Sequence, residues 1–175
     1  TGGNENFKKM GVTMVAHDQV RERMMKESFN TRTNRTTPPR DQEAWPAITF
    51  ADKLNFHFND EDIVLHHFDI GHTDGDVIVQ FKKANVIHTG DAFRIGYPFI
   101  DISNGGGFNG YINTLDKILL LIDDNTKVIP GHGKLVTKAE MKIVRNNMAD
   151  IRDQVVAALK KGKKVEDIAG LGITD

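Results

Sequence analysis

The clearest structural signal lies in residues 71–91, GHTDGDVIVQFKKANVIHTGD. Two short apolar stretches, residues 77–81 and 86–88, are separated by the polar tetrapeptide KKAN, and they carry the residue types that strands favour. Gly71 and Gly75 flank the first polar turn and Gly90 precedes Asp91, and glycine permits close approach of the backbone and unusual backbone angles. The segment therefore predicts two strands, with His72 and Asp91 in tight turns at strand ends.

Further strands precede this segment. Leu54, Phe56 and Phe58 alternate with polar residues, and NDE at 59–61 is typical of a turn, so residues 54–58 and 63–68 are predicted to form a hairpin. A short helix over 4–9, a strand over 12–16 and a helix beginning at His17 or Asp18 are predicted nearer the start. Residues 30–46 are predicted to be a loop.

Helices follow the segment. A polar, glycine-rich loop over 94–107 leads to an apolar repeat that begins at Tyr111, and a capping box at Thr137 and Glu140 begins a longer helix that ends near Gly162. The stripe of the second helix consists of Met141, Val144, Met148, Ile151, Val155 and Leu159. Strands and helices mix in one 175-residue chain, which predicts a single α/β domain over residues 1–175.

Composition excludes several classes of function. Lys plus Arg total 23 against 24 Asp plus Glu, so we expect no nucleic-acid partner. No apolar run approaches the ~20 residues that span a bilayer, and we expect a soluble chain without a membrane partner. Cysteine is absent, which excludes thiolate metal sites but leaves the compartment open between the cytoplasm and a periplasmic or secreted location.

Three residues stand out as chemistry-bearing. His72, Asp91 and His132 each lie in a glycine-containing turn just beyond an apolar stretch. Imidazole nitrogen and carboxylate oxygen are good ligands for zinc and other divalent metals. A single histidine in a loop is more often a structural residue, and an aspartate after Thr-Gly is usually a turn former. Three such turns in order weaken the purely structural interpretation.

The motifs HTDGD at 72–76, TGD at 89–91 and PGHG at 130–133 together resemble the metallo-β-lactamase-fold superfamily, in its broad zinc-hydrolase branch. TGGN at 1–4 is similar to the residues that directly follow the family's first metal motif, His-x-His-x-Asp-His, which the sequence lacks. The resemblance implies the C-terminal portion of an αββα sandwich, with one mixed sheet flanked by helices. It also implies that the domain is truncated at its N-terminal side.

The resemblance implies a role for each matching residue. His72 completes a first zinc site, Asp91 bridges two zinc ions, and His132 binds the second. Intact members use metal-bound water to hydrolyse ester, amide or thioester-type bonds of small molecules. The loop at 94–107 is expected near the mouth of such a site, with Tyr97 and Asn104 as substrate contacts.

The neighbouring polar residues are assigned supporting roles. Asp74 and Asp76 are expected to brace His72 from the second coordination shell rather than to bind metal. His66 and His67 are adjacent on a predicted strand and therefore point to opposite faces, so they are not expected to share a site. His88, inside an apolar strand, is expected to be hydrogen-bonded.

The number of metal ligands in the sequence limits the catalytic function that this chain is expected to have. A catalytic zinc normally has three protein ligands, and this chain offers one residue to each site and one shared between them. We therefore expect zinc to bind weakly or not at all, and the chain alone to be inactive, as a fragment or truncated relative of a zinc hydrolase. The alternative is a non-catalytic binding or oligomerisation module on the same scaffold.

An oligomer is the expected state of such a chain. The implied missing part contributes most of one sheet, which would leave the inner face of the other sheet uncovered and favour a homodimer or higher oligomer through that face. The residues expected on this face are Leu54, Phe56, Phe58, Val77, Val79 and Phe81.

Overall fold

The computed structural model describes residues 3–30 and 33–173, so Thr1 and Gly2 of the TGGN match lie outside the described residues. The elements in chain order are α1 (Asn4–Lys9), β1 (Val15–His17), α2 (Asp18–Met24), β2 (Ser28–Asn30), β3 (Arg35–Thr37), β4 (Ile48–Phe50), β5 (Lys53–Phe58), β6 (Glu61–His66), β7 (Ile78–Phe81), β8 (Val86–Gly90), α3 (Phe108–Leu121), β9 (Lys127–Pro130), α4 (Lys138–Lys160) and α5 (Val165–Ala169). Two short 3₁₀ helices, Gln42–Ala44 and Ile102–Asn104, complete the set.

A mixed five-stranded sheet forms the centre of the molecule, in the order β5-β6-β7-β8-β9. The first three pairings are antiparallel, and β8 pairs with β9 in parallel across the connection that contains α3. Asn59 and Asp60 both have positive φ, the conformation that a tight hairpin turn requires, and they join β5 to β6. The predicted α/β class, with one mixed sheet and helices, is confirmed.

The hydrophobic core lies between one face of this sheet and the two long helices. Ile78, Ile87 and Val128 project from β7, β8 and β9, and they belong to the same buried cluster as residues of α3 and α4. The helical members of that cluster are Tyr111, Ile112, Leu115, Ile118, Met141, Val144 and Met148. The predicted capping box is present, because the Thr137 side chain accepts from Glu140 N while the Glu140 carboxylate accepts from Thr137 N.

The opposite face of the sheet carries a second apolar row. Register places Leu54 opposite Leu65, which pairs in turn with Val79, and Phe56 opposite Ile63, which pairs with Phe81. Of the six residues expected on an uncovered face, Phe58 is 66% exposed, whereas Leu54, Phe56, Val77, Val79 and Phe81 are half-buried. Register therefore places five of the six predicted residues, all except Val77 just before β7, on one face, and that face is only partly open.

The segment before the sheet differs from the sequence-based prediction. Part of the predicted loop over 30–46 is ordered, since β2 pairs antiparallel with β3 and a 3₁₀ helix follows. The predicted strand over 12–16 is shorter and lies later, at Val15–His17, where it pairs in parallel with β4. Strands of three residues are too short to show an alternating pattern, which explains both differences.

Candidate functional site

The three chemistry-bearing turns leave the same edge of the central sheet. Strand β6 runs in the same direction as β8, because both are antiparallel to β7, and β9 is parallel to β8. The residues after these three strands therefore emerge at one edge, His72 after β6, Asp91 after β8 and His132 after β9. The sheet topology brings together residues that are far apart in sequence.

The two histidine side chains converge on the Asp91 carboxylate. His132 Nε2 lies 3.3 Å from Asp91 Oδ1, and His72 Nε2 lies 3.7 Å from Asp91 Oδ2. The three side chains line a cavity of about 80 Å³ together with Arg94 and Phe99. The structure thus brings the three predicted residues together, and their role as metal ligands stays a prediction.

Backbone contacts orient the His72 ring. His72 Nδ1 lies 2.8 Å from the carbonyl oxygen of Phe99, so this nitrogen carries the proton and donates. The other ring nitrogen, Nε2, then faces Asp91 Oδ2 at 3.7 Å. The His72 side chain is 19% exposed, compared with 71% for His132. His72 is therefore packed against its neighbours, whereas His132 faces solvent.

Glycine at position 131 allows the His132 turn to approach Asp91. A Cβ at this position would lie 2.2 Å from Asp91 Oδ1 and 2.7 Å from the carbonyl carbon of Gly90. Gly131 N also donates to Gly90 O at 2.7 Å, which joins the two turns directly. Gly131 of the PGHG motif is therefore required, because the backbone and Asp91 leave no room for a side chain at this position.

The turn that carries His72 is fixed by its own carboxylates. Asp76 accepts from Thr73 N at 3.0 Å and from Thr73 Oγ1 at 2.7 Å, directly beside His72. Asp74 forms an ion pair with Arg23 of α2. Neither aspartate lines the cavity of the three turns, and the bracing role predicted for them remains a prediction.

Tyr97 and Asn104 line other cavities. Tyr97 faces a groove of about 570 Å³ along α4, together with Ile143 and Ile151. Asn104 lines a cavity of about 250 Å³ beside α2, and its side chain donates to Asp101 Oδ2 at 2.7 Å. Substrate contact through these two residues stays a prediction.

Arg94 and Phe99 are site residues that sequence reasoning missed. Both line the cavity of the three turns, and Phe99 acts on His72 through its backbone carbonyl. The position of Arg94, three residues after Asp91, was the available signal, whereas a carbonyl contact leaves no signature in residue type. Beneath them Tyr111 is fully buried, and its hydroxyl accepts from Arg94 N at 3.3 Å. Burial raises the pKa of Tyr111 to about 12, so this hydroxyl stays protonated.

The other histidines have structural partners. His66 Nε2 lies 3.1 Å from Gln80 Oε1, while His67 Nδ1 lies 2.9 Å from Asp76 O and its ring stacks on His17 at 3.9 Å between centroids. The two adjacent histidines thus have different partners, and their expected separation from a shared site stays a prediction. His88 Nδ1 accepts from Gly90 N at 3.1 Å, which confirms the hydrogen-bonded role.

The donor atoms at the three turns suit zinc in kind but not in number. Two ligands of one tetrahedral zinc lie about 3.3 Å apart, as follows from zinc–ligand distances of ~2.0–2.1 Å. The separations from Asp91 to the two histidines are near this value, but they involve opposite carboxylate oxygens. Within residues 3–30 and 33–173, no group of three or more His, Asp or Glu side chains is arranged to hold a metal ion. The weak or absent zinc binding expected from the number of ligands therefore stays a prediction.

Solved structures with a similar fold are metallo-β-lactamases. A metallo-β-lactamase from Pontibacter korlensis superposes with a TM-score of 0.65 at 15% identity, covering 85% of this chain and 63% of that one. The B3 metallo-β-lactamase BLEG-1 gives a TM-score of 0.62 at 18% identity, covering 78% and 65%. The chain has a metallo-β-lactamase-like fold. The resemblance deduced from the motifs is confirmed for the fold, and identities this low show the fold alone.

Sequence comparison adds no function. No protein-family model matches the sequence. Uncharacterized proteins of Mycobacterium tuberculosis and Mycobacterium bovis are each 36% identical over 73 residues, which is 38% of this chain. The matched region spans about a third of the length of these relatives, at 32%. None of the helices in residues 3–30 and 33–173 combines the length with the apolar character that a membrane span needs.

Proposed function

We propose that the chain is part of a metallo-β-lactamase-fold hydrolase, and that His72, Asp91 and His132 form one half of a two-zinc centre. The observation that carries the proposal is the convergence of two imidazole Nε2 atoms on opposite oxygens of one carboxylate. This geometry suits a carboxylate shared between two metal positions. It suits a single three-ligand site less well.

Each residue has a defined part in this proposal. His72 serves the first zinc position and His132 the second, and Asp91 is shared between them. When bound, zinc supplies Lewis-acid polarisation of a substrate oxygen and a water that is nucleophilic near neutral pH. The Phe99 carbonyl holds the His72 ring with Nε2 toward the site, and Gly131 lets the His132 turn reach Asp91.

The number of ligands limits what these residues achieve alone. The sequence contains no His-x-His-x-Asp-His motif, and each zinc position has one histidine and a share of Asp91. Because a catalytic zinc normally has three protein ligands, the 175-residue chain binds zinc weakly and does not turn over substrate. The remaining ligands come from outside these residues, and the substrates are small molecules with ester, amide or thioester-type bonds.

The proposal is tested by titrating the metal-free chain with zinc chloride in a calorimeter, followed by an assay against p-nitrophenyl acetate and a model thioester. We expect weak binding that the Asp91→Ala substitution abolishes, and no hydrolysis. His57→Ala is the matched control, because His57 also lies beside a carboxylate, 2.6 Å from Asp62, but outside the site. Tight stoichiometric zinc with robust hydrolysis would contradict the half-site, and binding that survives Asp91→Ala would contradict the ligand assignment.

The second candidate function is a non-catalytic oligomerisation module, and the apolar sheet face favours it. Phe58 is exposed, and Phe56, Ile63 and Phe81 beside it on β5, β6 and β7 are half-buried, whereas Leu65 further along β6 is buried. Fully burying one such side chain contributes about 1.5–3 kcal/mol, so closing this face against a second copy would stabilise a dimer. Analytical ultracentrifugation of the chain and of Phe58→Ser tests this. A wild-type chain that stays monomeric at about 100 micromolar would contradict the oligomerisation function.

A further inference from the structure

Arg23 of α2 joins two loops that surround His72. Its guanidinium forms an ion pair with Asp74, two residues after His72, and Nη2 also donates to the carbonyl of Asn104 at 3.2 Å. Both side chains of the ion pair are 27% exposed. The contact therefore links three segments of the chain: α2, the turn at 71–76 and the loop at 101–107.

Packing around this ion pair is close. A Cβ at Gly105 would lie 2.5 Å from Asp74 Oδ2 and 2.8 Å from Asp74 Cβ. A Cβ at Gly75 would lie 2.6 Å from Cγ2 of Val20, which is also on α2. Asp74 and Gly75 thus fill the space between α2 and the 101–107 loop, so a displacement of α2 cannot leave this turn unchanged.

The same loops hold the backbone of His72. Asp101 N donates to His72 O at 2.9 Å, and Gly107 N donates to Gly71 O at 2.9 Å. Asp74 N in turn donates to Asn104 O at 3.1 Å. Arg23 binds Asp74 and Asn104, which form one of these three hydrogen bonds between the turn and the loop.

Charge supports the fixed position of the guanidinium. Burial lowers the pKa of Arg23, whereas Asp101 and Asp76 raise it by attraction. With Asp74 these are three carboxylates on the two loops around one arginine. The half-buried Arg23 guanidinium attracts the carboxylates of the 71–76 turn and of the 101–107 loop and so holds the two segments together. Removing the guanidinium leaves those carboxylates to repel one another.

We infer that Arg23 is a positioning residue: by holding the His72 turn against the 101–107 loop, it fixes the place of the His72 ring that the Phe99 carbonyl orients, and so the affinity of the first zinc position. The inference rests on the proposed function, because it takes His72 as a zinc ligand. Residues that support a metal ligand typically change metal affinity by about 10–100-fold when they are lost. The effect is confined to His72, because Arg23 contacts Asp74 and Asn104 and, among residues 3–30 and 33–173, has no hydrogen bond or ion pair to the His132 turn.

The test records the imidazole ¹⁵N resonances of the full chain, first without metal and then during a titration with zinc chloride. The variants are Arg23→Ala and Arg23→Lys, with Arg21→Ala as the matched control. Arg21 is on the same helix and donates to Pro46 O at 2.6 Å, away from the His72 turn. Arg23→Lys retains one charged donor and serves if the alanine variant does not fold.

We expect Arg23→Ala to shift the His72 resonances without metal and to raise the zinc concentration needed at His72 by about 10-fold or more, with His132 unchanged. Arg23→Lys should recover part of the loss, and Arg21→Ala should match wild type. Unchanged His72 resonances in Arg23→Ala, or equal effects on His72 and His132, would overturn the inference. If wild-type His72 does not respond to zinc, the proposed function fails, and the metal-free spectra still decide whether Arg23 orients the ring.

Discussion

The Gly110→Ala substitution tests how tightly α3 packs against the turn that carries His72. Helix propensity alone predicts that alanine stabilises this position by about 1 kcal/mol relative to glycine. The structure predicts the opposite, because a Cβ at Gly110 would lie 1.8 Å from the carbonyl oxygen of Ile70 and 2.7 Å from its carbonyl carbon. Both atoms belong to backbone, so no side-chain rotation relieves the overlap.

The magnitude follows from the two opposing effects. Overpacking a buried position costs about 1–3 kcal/mol, and a backbone clash of this size belongs at the upper end. Subtracting about 1 kcal/mol for propensity leaves a net loss of about 2 kcal/mol in the free energy of unfolding. Because Ile70 immediately precedes Gly71, relief of the clash should also displace the His72 turn.

Urea unfolding followed by far-UV circular dichroism measures this loss, with Asn109→Ala as the control. Asn109 is the preceding, exposed residue of α3, so its substitution should change stability by less than about 0.5 kcal/mol. The expected result for Gly110→Ala is a lower midpoint with an unchanged dependence on urea. A midpoint equal to or above that of wild type would refute the close packing of α3 on Ile70.

Three further predictions concern individual elements. Burial and the neighbouring His67 lower the pKa of His17, so the unfolded chain takes up the proton first as the pH falls below about 6.5. The free energy of unfolding should therefore decrease below that pH. His17→Asn keeps a capping side chain on α2, and in urea titrations at several pH values it should weaken this dependence of stability on pH. Thr137→Ala should cost about 1 kcal/mol by thermal unfolding, whereas Thr137→Ser should retain most of the cap, and equal losses would contradict the capping box. Arg145 of α4 donates two hydrogen bonds, of 2.7 and 2.9 Å, to the Asp116 carboxylate of α3. Because both side chains are partly exposed, Arg145→Met should lower the free energy of unfolding by only about 0.5 kcal/mol, and 1 M salt should reduce this difference.

Much of the fold was predictable because long elements have strong periodic signals. The α4 stripe and its capping box identified a 23-residue helix, and the alternating residues of β5 identified a hairpin. The pairing of β2 with β3 was not predictable, because three residues do not establish a period of two. Whether these two short strands form depends on tertiary contacts, and a local stretch of sequence does not reveal those contacts.

The site was predictable where residue type carries the chemistry. His72, Asp91 and His132 were identified from turn motifs, and the sheet brings their side chains to one cavity. The Phe99 contact was not predictable, since it is made by a backbone carbonyl that any residue possesses. The role of Arg23 was equally hidden, because α2 reaches the His72 turn only through the tertiary fold.

The most direct test of the two-position centre follows all seven histidines by ¹⁵N spectroscopy while zinc is added to the metal-free chain. If the two positions share Asp91, Nε2 of His72 and of His132 should respond in the same concentration range, the remaining five histidines should not, and Asp91→Ala should remove both responses. A first response at His66, His67 or His88, or responses at His72 and His132 that persist without Asp91, would contradict the shared carboxylate.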